Sequence, residues 1–167
     1  EIDLRKASWL GPLDLPAPTE EAEFARQFRT GKKKFALSAL LAYARNEDPF
    51  VANAALVRLS RRTAELKPDQ VGKWFPVDRV AVIGALRIAR TDPEPWVRLA
   101  LNDQSPDVQF ETLHWITDGC LQDEKFKKFL PDVERLLKRN DLSFELFEAG
   151  VAAWNTLSGK PEVGLNN

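Results

Sequence analysis

The chain has 167 residues, of which 44% are hydrophobic and 29% are charged, and its formal net charge is −1. This balance predicts one folded domain or one short repeat array and excludes a disordered chain. No apolar run approaches the roughly 20 residues of a membrane span, and residues 1–16 lack the pattern of a signal peptide.

The first 18 residues are predicted to form an extended arm. Pro12, Pro16 and Pro18 each fix φ and lack a backbone donor, which disfavours a helix. Apolar residues between them suggest that the arm lies on the rest of the chain or on a neighbouring domain. The sequence contains no methionine, so we expect a processed chain or a piece of a larger one.

From Thr19 to residue 161 the predicted elements are helical, and residues 162–167 form a predicted tail. Asp48 and Pro49 look like the N-cap and first residue of one helix, and Pro106 opens another. No stretch alternates between apolar and polar residues long enough to predict a sheet. We expect an all-α fold of about seven helices joined by short loops. The predicted helical segments are 19–30, 33–46, 49–62, 78–90, 95–102, 106–118, 126–139 (regular from Pro131) and 143–158.

Several helices begin alike, with an Asp or Ser and often a proline before an apolar run. Asp48 and Asp92 are 44 positions apart, and Asp92 and Asp141 are 49 apart, which is close to the period of two-helix repeats. The segment 92–101, DPEPWVRLAL, resembles the HEAT-repeat family, with Val97 and Arg98 on that family's Val-Arg pair. Residues 105–116 depart from the pattern, with Gln109 at the Arg position. The resemblance implies a HEAT-like α-solenoid. On that basis we expect Val97, Leu99, Leu101, Val108 and Leu113 to be buried between helices.

A narrower resemblance covers roughly residues 33–161. The segments 35–62 and 131–160 are similar to the HEAT segment of large exported haem-binding proteins of planctomycete-type bacteria, which also contain a cytochrome c domain. This resemblance implies an exported or periplasmic location and a structural place in an electron-transfer complex. The family's haem motif, Cys-x-x-Cys-His, is absent from this sequence, so no cofactor is predicted.

The stretch 105–120 holds the only histidine and the only cysteine of the chain. Helical spacing places Glu111, His114 and Asp118 on one face, where such a trio could bind a metal or act as a general base. One helix face supplies too few ligands, so we predict a solvated face, no metal and no catalytic residue. Cys120 is predicted to be a small buried or loop residue.

Charge is unevenly distributed along the chain. Residues 31–90 carry 12 basic and 5 acidic side chains, whereas residues 91–167 carry 8 basic and 14 acidic ones. This division predicts a positive and a negative surface in a stacked fold. Within the positive part, we predict that a basic cluster binds a protein partner with an acidic surface: Lys32, Lys33, Lys34, Arg61 and Arg62.

These features favour a non-catalytic scaffold that binds a protein or another domain of its own chain. The alternatives are the structural part of an electron-transfer complex and an enzyme on a HEAT-like solenoid, of the DNA glycosylase or lyase type. A DNA-acting enzyme is expected to be basic overall, so the net charge of −1 does not favour a nucleic-acid ligand. The five tryptophans could stack on bases or sugars, but their wide spacing favours packing roles.

Overall fold

The computed structural model describes residues 19, 22–23, 26–27, 30 and 34–160. The regular elements in these residues are all helical, which confirms the predicted all-α class. The described positions between 22 and 30 are helical, in agreement with the first predicted helix. The predicted arm at 1–18 and the tail at 162–167 lie outside the described residues.

Within residues 34–160 the chain forms seven α-helices and three short 3-10 segments. The 3-10 segments are Thr63–Glu65, Pro68–Lys73 and Glu124–Phe129. The α-helices are α1 (Leu37–Tyr43), α2 (Pro49–Ser60), α3 (Pro76–Ile88), α4 (Glu94–Leu101), α5 (Pro106–Cys120), α6 (Leu130–Leu137) and α7 (Phe144–Leu157).

Several helix starts follow from local sequence. Asp48 caps α2, because its carboxylate accepts the backbone N–H groups of Phe50 at 2.7 Å and Val51 at 3.2 Å. Ser143 caps α7 by accepting the N–H of Leu146. A carboxylate or hydroxyl at this position satisfies amides that have no partner within the helix. Ser105 occupies the same position before α5, but its side chain makes no cap bond.

Alternate helices pack side by side and in the same direction. The helix α5 packs against α3 on one side and α7 on the other, while α4 packs against α6. Arg79 pairs with Asp103 near the starts of α3 and α5, and Arg87 pairs with Asp118 near their ends, so these two helices are parallel. The Sγ of Cys120 donates to the carbonyl of Thr156 across the ends of α5 and α7.

One continuous apolar core joins these helices. It includes Leu40 of α1, Leu59 of α2, Leu86 of α3 and Leu113 of α5, all of which are fully buried. Its extent explains why α3 and α5 carry apolar side chains around much of their circumference, since neighbours cover both flanks.

Four of the five residues predicted to be buried are confirmed, and one prediction is wrong. Val97, Leu101, Val108 and Leu113 are buried, whereas Leu99 is 45% exposed. The reason is helical geometry: Val97, Ala100 and Leu101 share one face of α4. Leu99 lies about 200° around the axis from Val97 at 100° per residue. It therefore points away from the core.

Ion pairs connect one helix to the next in each parallel set. The Nη2 of Arg79 donates to Oδ1 of Asp103 at 2.8 Å, its Nε lies 2.8 Å from Oδ2, and the two side chains are largely buried. Arg98 of α4 reaches Asp132 of α6 at 3.1 Å, and Lys128 pairs with Glu94. The Arg79–Asp103 pair is buried and therefore costly to break from one side, so it fixes the axial position of α3 against α5. The two pairs between the α4 and α6 segments are more exposed and contribute less.

The helix α5 is longer than predicted. The sequence predicts an end at residue 118, because glycine commonly follows a helix, but α5 continues through Gly119 to Cys120. Gly119 is required by packing: a Cβ there would lie 2.2 Å from Cζ of Phe126. The segment that contains Phe126 is the 3-10 segment Glu124–Phe129, which the sequence predicted as the irregular start of a helix.

Candidate functional site

The acidic face of α5 binds an arginine of α3. The Nη2 of Arg87 lies 3.0 Å from Oε1 of Glu111, and its Nη1 donates to Oδ2 of Asp118 at 2.7 Å. His114 is exposed and its ring packs 4.3 Å from that of Phe110, centroid to centroid. The predicted trio is therefore divided, because Arg87 binds the two carboxylates and the histidine ring packs against Phe110.

Glu111 is not on a solvated face, and that part of the prediction is wrong. Its side chain is largely buried between α3 and α5, since the neighbouring helix covers it. Burial raises the pKa of Glu111 above its usual value, while the nearby Arg87 and His114 act in the opposite direction. Among the described residues no group of three or more His, Cys, Asp or Glu side chains could hold a metal ion.

Cys120 is the last residue of α5 and is partly buried. Its Sγ lies 3.8 Å from the carbonyl oxygen of Thr156 in α7. Burial raises the pKa of the Cys120 thiol, which lowers the thiolate fraction at neutral pH. These surroundings are those of a packing residue, as predicted, rather than of an activated nucleophile.

The predicted basic cluster is only partly described. Lys34 and Arg61 are exposed, whereas Lys32 and Lys33 lie outside the described residues. Arg62 donates to the carbonyl of Phe35 and pairs with Glu65, so it joins the end of α2 to the chain before α1. The partner-binding role of this cluster stays a prediction, with Arg62 already engaged in a structural contact.

The tryptophans serve mainly as packing residues within the described part of the chain. Trp96 and Trp115 are buried in the core, and Trp74 and Trp154 pack partly against it. Trp154 also donates to Oε1 of Glu134 in α6. Trp9 lies outside the described residues.

A cleft of about 710 Å³ opens where α3 and α5 end. We call it the α3–α5 cleft. Trp115 and Phe126, both almost fully buried, line it from the core side. Ile88 and Leu121 also line it, and they are 42% and 71% exposed. Pockets of this size with mixed apolar and polar linings are common ligand and peptide sites.

The charges in the α3–α5 cleft are nearly all paired. Arg87 binds Asp118, and Lys125 lies 3.1 Å from Asp123. Arg90 also lines the cleft, and its guanidinium has no partner among the described residues. Within the described part of the chain, the cleft therefore offers one uncompensated cation beside two exposed apolar side chains.

Arg90 has an unusual backbone. Its φ is +52°, in the left-handed region, and the N–H of Thr91 donates to the carbonyl of Leu86 to close the end of α3. The end of α7 has the same arrangement. There the backbone N–H of Lys160 donates to the carbonyl of Asn155, and the left-handed residue is Gly159. A side chain at such a position costs roughly 1–2 kcal/mol relative to the right-handed conformation, so glycine is usual there.

Comparisons with known proteins add no constraint on this site. No family model, no curated protein and no solved structure matches the chain. Within the described part of the chain, the helices are all too short or too polar to cross a membrane.

Sequence reasoning missed the α3–α5 cleft. Arg87 and Arg90 read as ordinary residues at the end of a helix, and Leu121 reads as a loop residue. One sequence signal does point to this region: the helix ends at Arg90, at a position where glycine or asparagine is usual. The cleft itself depends on how α3 and α5 align, which no local pattern specifies.

Proposed function

We propose that this chain is a non-catalytic helical-repeat scaffold, built as a HEAT-like solenoid, which binds a protein partner in the α3–α5 cleft. The solenoid proposal is supported by the parallel packing of alternate helices. The ion pairs Arg98–Asp132 and Lys128–Glu94 both join positions 34 residues apart, as expected where these two segments run parallel.

One observation carries the binding proposal: Ile88 and Leu121 lie exposed at a concave surface whose inner side is aromatic. Scattered exposed apolar residues need no explanation, but two that share a cleft can be covered together by one partner side chain. An apolar anchor in a pocket, surrounded by polar groups, is the usual centre of a protein interface.

The experiment is a selection of displayed random dodecapeptides on the intact chain, followed by affinity measurements on variants. Ile88→Glu and Leu121→Glu place a charge inside the cleft, and each should weaken the selected peptides by at least about tenfold, since a charge buried without a partner is costly. Leu99→Glu is the matched control, because Leu99 is exposed to almost the same degree as Ile88 but belongs to α4.

The proposal requires the two cleft variants to lose binding while Leu99→Glu keeps it. A selection that yields no binder, or binders insensitive to both cleft variants, would refute it. Lys34→Glu and Arg61→Glu, tested beside them, measure whether the predicted basic cluster contributes to the same interaction.

A further inference from the structure

We propose that the α3–α5 cleft recognises an acidic, apolar segment of a partner protein, in which one carboxylate binds Arg90 and an adjacent large apolar side chain covers Ile88 and Leu121. This inference rests on the proposed function and adds the chemistry of the partner. It follows from the charges, the exposed apolar side chains and the backbone of Arg90.

Among the described residues, the charges of the cleft leave one cation unpaired. Three cations and two carboxylates line it, and the pairs Arg87–Asp118 and Lys125–Asp123 neutralise four of them. Arg90 alone has no ionic partner in the described part of the chain. A guanidinium presents a planar fork of donors that matches a carboxylate in two parallel hydrogen bonds.

The apolar side chains lie close to that cation. Ile88 precedes Arg90 by two residues, and Leu121 faces the same cleft from the end of α5. A segment that binds both features needs a carboxylate and a large apolar side chain as near neighbours. A short extended peptide with an acidic residue beside a leucine has this arrangement.

The backbone gives a reason to regard Arg90 as functional. The same cap at the end of α7 is made with Gly159, whereas α3 ends on an arginine at φ +52°. A strained position that keeps a long charged side chain at the mouth of a cleft points to a use for that side chain.

The cleft does not suit a polyanion such as RNA. Asp118 and Asp123 already pair with Arg87 and Lys125, so these two cations are not free for a second and a third negative group. One carboxylate beside an apolar group fits Arg90, the one cation of the cleft that is unpaired among the described residues, which is why a protein segment is proposed.

The test uses two capped tripeptide probes, N-acetyl-Leu-Asp-Leu-amide and its Asn counterpart, titrated into the isotopically labelled intact chain at low ionic strength. The methyl signals of Ile88 and Leu121 and the amide signal of Arg90 report binding. The Asp probe should bind about three- to tenfold more tightly than the Asn probe. In Arg90→Gly this difference should disappear, while the Asn probe binds as before.

Arg90→Lys separates charge from geometry, because it keeps the cation and removes the fork of donors. Partial retention of the difference in Arg90→Lys supports the proposal. Equal binding of the two probes to the wild-type chain would overturn it while leaving apolar binding in the cleft intact. Absence of binding by both probes would also overturn it, and the peptide selection then decides independently whether the cleft binds protein.

Discussion

Gly119→Ala should destabilise the fold, although alanine normally stabilises a helix. The added Cβ would lie 2.2 Å from Cζ of Phe126 and 2.5 Å from both Cε atoms, whereas carbon atoms in contact are about 3.5–4.0 Å apart. Phe126 cannot easily move, because it is buried and packs edge-on against Trp115 and Phe129. Overpacking of this kind costs about 1–3 kcal/mol. That cost exceeds the gain in helix propensity, which is up to about 1 kcal/mol and smaller near a helix end.

Gly84→Ala is the matched control. A Cβ at Gly84 would lie 3.4 Å from Oε1 of Glu111 and 3.6 Å from the methyl carbons of Leu56, which are nearly ordinary contacts. In the interior of α3 this change should therefore stabilise by about 0.5–1 kcal/mol. Thermal unfolding followed by circular dichroism measures both, since 1 kcal/mol shifts Tm by about 2–4 °C in a domain of this size.

The two glycine variants should shift Tm in opposite directions. In a Phe126→Leu background, Gly119→Ala should lose most of its effect, because the ring that it meets is gone. If Gly119→Ala were as stable as Gly84→Ala, the packing of Phe126 over α5 would be wrong.

Three further predictions concern single side chains. Asp48→Ala should lower the free energy of unfolding by about 1 kcal/mol through loss of two cap bonds. Ser105→Ala should change it little in the same urea titration, and equal losses would contradict the assigned caps. Glu111→Gln should stabilise the fold at neutral pH. Burial raises the pKa of Glu111, so the ionised carboxylate is less favourable in the folded state than in the unfolded state. The stability that protonated Glu111 contributes is complete below the unfolded pKa, near 4.5, and is lost as pH rises through the folded pKa. The gain in the free energy of unfolding from Glu111→Gln should therefore increase as pH rises from the unfolded pKa through the folded pKa. A gain that does not change with pH would refute burial of the carboxylate as its cause. Arg90→Gly should raise the free energy of unfolding by up to about 1 kcal/mol. Glycine relieves roughly 1–2 kcal/mol of backbone strain at this left-handed position. This gain exceeds the roughly 0.5–1 kcal/mol lost because glycine gives the unfolded chain more conformational freedom. A lower Tm for Arg90→Gly would show that the arginine side chain stabilises the fold itself.

Much of the helical fold was predictable because its determinants are local. Asp48 followed by Pro49 specifies a helix start through one side chain and one fixed φ, and the structure confirms it. The burial of Val97 and Leu101 follows from helical spacing, but Leu99 shows the limit of the repeat pattern. An apolar residue that matches a family's small-apolar position still points outward when it lies on the far face of its helix.

The remaining features depend on residues far apart in the chain. Arg87 meets Glu111 and Asp118 only because α3 and α5 are parallel and aligned. The sequence predicts a helix end at Gly119, whereas the structure requires a glycine there because of the ring of Phe126 in the following segment. The predicted division of charge is also modified by tertiary pairing, because Arg79 and Arg87 of the basic part bind acids of the acidic part.

Amide hydrogen exchange tests the central claim most directly, when it is measured by mass spectrometry on the intact chain with and without the tightest selected peptide. We expect slower exchange in the two segments that line the α3–α5 cleft, residues 87–91 and 118–126, and little change in α2. Protection confined to residues 31–62 would assign binding to the basic cluster instead. Protection at the starts of α5 and α7, around Phe110 and Leu146, would place peptide binding at the opposite end of α5. Either result would contradict binding in the α3–α5 cleft.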